Sequence, residues 1–382
     1  MNEQQILARR RSAGFAAFFF SGVCAISSGV VVSLLQEQYG FAYGVTGTLL
    51  SLMNIGNLTA GFLSGVLPGL LGGMKRSVLL LSLGYLVGYG LMGFTGVVAL
   101  LGLGFFLVGA AKGQVINACT VLVGDSSPDR TRGMNLMHSC YACGALLCPF
   151  AIAAAGRAGQ KAPLFLLALV GAALWLAFAV TPMERGGKKA GGKIDWSFLR
   201  SARFWLLVGL IFCQNAAETS VTGWMVTYFK DSGIIAGVLS TYTVTVMWGA
   251  TLVARLLIAF VFPFKNPRKA MVVMGAGCIV TYFGLMLAHS QTAAIVLLFC
   301  FAFAMAGMNP TAVAAAGRMT TVTSIAILLP AASLGAIVMP WVIGLVAETA
   351  GLTAGMASNI VPCVGMLVFA ALVARLPAEE AA

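Results

Sequence analysis

The feature that most constrains this chain is the recurrence of apolar stretches longer than about 18 residues with almost no charge, the length a helix needs to cross roughly 30 Å of hydrocarbon. We read twelve, near 12–35, 46–71, 77–96, 98–124, 134–156, 162–182, 202–229, 236–261, 270–289, 292–317, 322–346 and 353–376. Polar and apolar residues do not alternate within them, so the expected spans are helices and not strands of a barrel. With 60% hydrophobic and 9% charged residues and a mean hydropathy of +0.96, the chain stands outside the soluble globular class, which runs at about 45–50% apolar. An all-α membrane protein is expected.

Lys and Arg fix the expected orientation, because basic loops stay on the cytoplasmic side. With the N-terminus inside, the cytoplasmic segments hold Arg9, Arg10, Arg11, Lys75, Arg76, Arg130, Arg132, Lys188, Lys189, Lys265, Arg268 and Lys269, whereas the outer loops hold only Arg157, Lys161 and Lys230. Both termini are therefore expected in the cytoplasm of a plasma membrane, the bacterial inner membrane. The first span is too long for a signal-peptide core and reads as retained. Topology and anionic lipid account for the net charge of +12 without a nucleic-acid partner. The cysteines are scattered and mostly within spans; Cys140-Tyr-Ala-Cys143 reads as small packing residues inside a helix.

One long polar interruption, MERGGKKAGGKIDWSFLR at 183 to 200, separates six spans from six. The expected organisation is a bundle at 1–182, a linker at 183–201 and a second bundle at 202–382. Matched features recur at a nearly fixed offset. Gly144-Ala145 through Pro149 returns as Gly335-Ala336 through Pro340, at 191; Asn117 returns as Asn309, at 192; Lys75-Arg76 is echoed by Arg268-Lys269, at 193; the span openings near 12 and 202 differ by 190. An even number of spans separates the copies, which makes them parallel repeats, the arrangement of the two halves of a major facilitator protein.

Polar residues inside spans are the functional candidates. An ionised acid at mid-span costs about 2.5–3.5 kcal/mol on insertion scales and must face water, find a partner or be protonated. Glu218 is such an acid. Gln214, Glu218 and Thr222 share one helical face at i, i+4 and i+8, with Asn215 about 60° from Glu218. Trp224 lies about 120° from Glu218 and joins that face only if Gly223 loosens the helix. In the fourth span Lys112 sits near mid-depth with Gln114 and Asn117. Lys112 and Asn117 are about 140° apart and need a bend near Gly113 to meet one ligand. A Lys112 to Glu218 ion pair is one way to neutralise both charges; an anionic solute in place of Glu218 is another. His138 is either a packing histidine or a titrating relay, and Asn309-Pro310 offers a proline break with a freed carbonyl beside an amide. Trp248, Tyr242 and Tyr228 offer ring faces, and Arg255 and Arg318 read as gating or snorkelling groups. No nucleotide-binding loop, H-E-x-x-H or clustered metal-ligand set occurs, so neither enzyme chemistry nor a cofactor is expected.

The pattern Glu218-Thr-Ser-Val-Thr-Gly-Trp224-Met-Val-Thr-Tyr228 resembles the E-x-S-x-x-x-W-x-x-x-Y of the fucose/glucose-galactose proton symporter family of the major facilitator superfamily. Leu67-Pro68-Gly69 before Met74-Lys75-Arg76, Asn117, Asn135-Leu136, Trp248-Gly249, Arg255, Pro310-Thr311 and Gly344 are similar to further pieces of it. The resemblance implies a transporter working as a monomer in the lipid bilayer, with a monosaccharide as solute and a proton as coupling ion. Residues carried as solute-binding are Glu218, Lys112, Asn117, Gln214, Asn215, Asn309, Trp224 and Gln114; Glu218 and His138 are the coupling candidates; Lys75, Arg76, Arg255, Arg268 and Lys269 are assigned to gating and loop contacts. One departure stands out. Where that family carries acids in its first and fourth spans, this chain has Ser21, Ser27 and Ser28, and Gly113 beside Lys112. A uniporter, or an organic-anion or drug carrier of the same fold, therefore stays open.

Overall fold

The computed structural model describes residues 3–128, 130–183, 197–261, 264–319 and 322–376. Every element among them is helical, and twelve helical segments are long and apolar enough to cross a membrane. This is the outcome that hydrocarbon enforces, because a helix satisfies its own backbone hydrogen bonds. By contacts the chain divides into two compact units, Met1–Ala190 and Gly191–Ala382. The division falls inside the predicted linker, whose residues 184–196 lie outside the described ones.

In the first unit the spans are α1 (Glu3–Ile26) continuing into α2 (Ser28–Tyr39), α3 (Tyr43–Leu70), α4 (Met74–Phe94), α5 (Val98–Ser126), α6 (Arg130–Gly156) and α7 (Ala162–Ala179). The second unit holds α8 (Ala202–Asp231), α9 (Thr243–Leu256), α10 (Pro267–Met286), α11 (Gln291–Met305) with α12 (Met308–Met319), α13 (Val322–Ala350), and α14 (Leu352–Ser358) with α15 (Ile360–Arg375). Helix ends follow ordinary capping chemistry. Asn266 Oδ1 accepts from Lys269 N (3.1 Å) with Pro267 at the first helical position. Gly40 ends α2 in the left-handed region, φ 66°, and its N–H reaches Gln36 O at 2.8 Å.

The two units repeat one packing scheme. α1 packs on α6, α5 and α7, and α4 packs on α5 and α7; correspondingly α8 packs on α13, α15 and α12, and α10 on α11 and α15. The repeat holds at single residues. A Cβ on Gly144 would strike Phe19 O and crowd Val23 N of α1, and a Cβ on Gly335 would strike Phe212 O and crowd Ala216 N of α8. Phe19 and Phe212 differ by 193, as do Val23 and Ala216. The first and seventh spans are thus related by 193, and the spacing of 190 read from where they open is corrected by three residues.

Among the described residues, three spans are broken. The first, expected as one helix, is interrupted at Ser27. There Ser27 Oγ lies 2.7 Å from both Cys24 O and Tyr89 Oη, and Tyr89 Oη lies 2.5 Å from Cys24 O. Six residues earlier Ser21 Oγ pairs with Tyr85 Oη at 2.9 Å. The tyrosine rings stack 6.5 Å apart, and all four side chains are buried. Hydroxyls here replace helical hydrogen bonds that the break removes. The tenth span breaks at Ala306–Gly307, between α11 and α12, and the twelfth at Asn359.

Arginines satisfy carbonyls at helix C-termini in both units, where the helix dipole favours a cation. In the first unit, Arg10 Nε donates to Pro182 O (2.8 Å) and Arg11 Nη1 to Ser126 O (3.4 Å). In the second, Arg268 Nη1 donates to Leu376 O at 2.6 Å.

Candidate functional site

The seventh span brings its polar residues to one face because the helix α8 runs unbroken from Ala202 to Asp231. Spacing alone puts Gln214 and Glu218 one turn apart, and Gln214 Nε2 donates to Glu218 Oε2. Gln214 Oε1 accepts from Asn309 Nδ2 at 2.8 Å. The same Nδ2 lies 3.5 Å from Asn215 Oδ1, and Asn215 Nδ2 donates to Ala332 O of α13 at 3.2 Å. Four side chains from two spans thus form one hydrogen-bonded chain, anchored on the backbone of a third. Glu218, Asn215 and Asn309 are half-buried, whereas Gln214 is 1% exposed. Thr222 Oγ1 bonds back to Glu218 O (2.8 Å) and lies 3.6 Å from Met247 Sδ, beside a small cavity of ≈ 10 Å³ lined also by Val221, Val244 and Leu298.

Asn309 is held where it can do this by the break in the tenth span. Pro310 has no N–H to give to Ala306 O, four residues back. Arg255 Nε, at the end of α9, donates to that carbonyl instead, at 3.4 Å. Arg255 thus occupies the carbonyl that the sequence marks as freed.

Other predicted residues go elsewhere. Trp224 is fully buried, and its indole N–H donates to Pro340 O of α13 at 3.0 Å. It locks α8 to α13 and stands apart from the carboxylate, so the loosening at Gly223 that would have joined them is absent. Tyr228 is also buried, tilted against Phe229 with ring centroids 5.5 Å apart.

In the first unit, Lys112 is half-buried on α5. Asn117 Nδ2 donates to Ser64 Oγ of α3 at 2.7 Å, which ties two helices together. Gln114 is 2% exposed, and among the described residues its Oε1 has no hydrogen-bond partner, a cost of about 1–3 kcal/mol for a buried acceptor. Exposed His138 meets the ring of Phe18 edge-on, with centroids 5.4 Å apart. Arg76 Nη1 turns back to Leu71 O (3.0 Å), Lys75 is half-buried at the start of α4, and Lys269 is exposed at the start of α10. The side chain of Arg318 lies outside the described residues. Sequence reasoning missed Ser64, Tyr85 and Tyr89; only the tyrosines carried a signal, their spacing of one turn on the third span.

The family model described as Major Facilitator Superfamily matches residues 13–329. Among solved structures, the chain is similar to a bacterial homolog of the human lysosomal transporter Spinster, with a TM-score of 0.74, 12% identity, and coverage of 97% of this chain and 96% of that one. It is similar also to the nucleoside transporter NupG, with a TM-score of 0.75, 14% identity, and coverage of 98% of each chain. Identities this low carry the fold alone. No curated protein sequence gives a significant match. The match of the family model over most of the chain, with twelve spans in a repeated packing scheme, makes this chain a member of the Major Facilitator Superfamily of membrane transporters.

Proposed function

We propose that the protein moves a monosaccharide across the bacterial inner membrane by alternating access, with both termini in the cytoplasm and a proton as coupling ion. The observation that carries the reading is the chain Glu218–Gln214–Asn309–Asn215 on the seventh and tenth spans. A carboxylate on a spanning helix costs about 2.5–3.5 kcal/mol on insertion scales. Around this one the fold gathers amides, which suit a neutral, polyhydroxylated solute. Half-burial leaves Glu218 and Asn309 partly accessible. Lys112, Gln114 and Asn117 are assigned as solute contacts from the fourth span. Glu218 is the coupling acid, since the first span carries only serines there, and His138 is its alternate.

Lys112 supports a second reading, an organic-anion carrier, because a cation inside a span suits a carboxylated solute. Uptake into proteoliposomes separates the two. With an inwardly directed proton gradient, labelled hexoses should accumulate above equilibrium, and carboxylates should not compete. Hexose uptake indifferent to the gradient would remove the coupling, and carboxylate uptake without hexose uptake would establish the rival.

A further inference from the structure

We infer that the polar face formed by α8 and α12 recognises its solute as a hydrogen-bond donor, taking polyols and protonated amines and rejecting carboxylates. The inference rests on the reading of this face as the solute site. Its argument is the direction of the hydrogen bonds. Ala332 O is a backbone carbonyl and accepts only, so Asn215 must turn Nδ2 toward it (3.2 Å) and Oδ1 away. Facing that Oδ1, Asn309 must present Nδ2, which also meets Gln214 Oε1 at 2.8 Å. Gln214 then has Nε2 for Glu218 Oε2. An ionised carboxylate accepts only as well, so both ends orient the amides in the same sense. Flipping any one of them would set acceptor against acceptor.

What remains unused follows from this bookkeeping. Glu218 Oε1 and Asn309 Oδ1 accept no hydrogen bond from the described residues. Both belong to half-buried side chains, and both are acceptors. The spare N–H of Gln214 is sealed, since that residue is 1% exposed, and Asn215 Nδ2 is turned to the α13 backbone. Separate hydroxyls of a visiting polyol, or the N–H groups of an ammonium, can donate to these oxygens. A carboxylate would bring a third acceptor and a like charge.

The test uses purified full-length protein and two matched probe sets. One comprises glucose, glucosamine, glucuronate and 2-deoxy-2-fluoroglucose; the other comprises adenosine, its 5′-amino-5′-deoxy analogue and its 5′-carboxylate. Titration calorimetry reads binding of each. Within a scaffold that binds, the neutral and amino members should bind at least about tenfold tighter than the carboxylate, and the fluoro sugar, which has lost the donor at position 2 and keeps its other hydroxyls, should lose affinity against glucose where that position is the one recognised. Glu218→Gln should narrow the preference over carboxylate to under about threefold. Asn309→Ala, as a second variant, should weaken neutral and amino probes together. A carboxylate that binds as tightly as its neutral partner, a preference that survives Glu218→Gln intact, or no binding by any probe overturns the inference. Hexose uptake with carboxylate preferred would sink it and spare the monosaccharide reading, whereas donor preference confined to the adenosine set would do the reverse.

Discussion

Gly22 on α1 and Asn215 on α8 hold equivalent places, 193 residues apart, and meet equivalent carbonyls, Tyr141 O on α6 and Ala332 O on α13. At Gly22 the two backbones come so close that a Cβ would strike the carbonyl. At Asn215 a whole side chain fits, and its amide donates to that carbonyl. Around these positions Ser21 and Ala25 correspond to Gln214 and Glu218. The glycine one turn further along the partner helix, Gly144 or Gly335, is kept in both units. The contrast teaches how a duplicated fold specialises. The contact that sets helix separation stays, and the adjacent position is free to become either a tight seam or a polar site.

Exchanging the two residues should break the comparison most severely. Gly22→Asn forces a side chain against Tyr141 O, and overpacking of this kind costs about 1–3 kcal/mol or more; a sharp fall in melting temperature of the detergent-purified protein is expected. The reciprocal Asn215→Gly introduces no clash; it removes the bonds to Ala332 O and Asn309 Nδ2, about 1 kcal/mol each, with a further ~1 kcal/mol for glycine inside a helix, and should still fold while losing transport. Equal destabilisation by both would undo the proposed equivalence. Next in size, Glu218→Gln should lower transport about tenfold, the effect of removing a positioned acid or base being at least about 10²-fold where it limits the rate and less where it does not, with an unchanged size-exclusion profile. Rates like wild type in vesicles would strike Glu218 from the site. Lys112→Ala should cut uptake several-fold in the same assay, and full activity would strike Lys112 from the solute contacts. The smallest effect belongs to Trp224→Phe. It should cost about 1 kcal/mol of stability from the lost bond to Pro340 O and leave the initial rate of uptake within about twofold; a collapse of transport would return the indole to the site.

Much of this was legible in the sequence because hydrocarbon simplifies the code. Span positions follow from apolar length, and the repeat follows from a few glycines, prolines and basic loops. The pairing of Gln214 with Glu218 follows from one helical turn, and the angle of about 120° already set Trp224 off the polar face. What was hidden depends on tertiary approach. Nothing local tells that Asn309 reaches Gln214 or that Asn117 spends its amide on Ser64. The break at Ser27 was also illegible, since no proline or glycine marks the residue itself; its hydroxyl meets that of a tyrosine from another span.

The carbonyl of Ala306 takes its hydrogen bond from Arg255 on a neighbouring span and not from its own helix. Bending at that joint therefore breaks no helical bond at this carbonyl; what a swing by α12 costs there depends on how far a guanidinium on a flexible stem can follow. A lysine there, with a stronger hold on its hydration water, would stiffen or unlatch the joint, and Asn309 would ride with it.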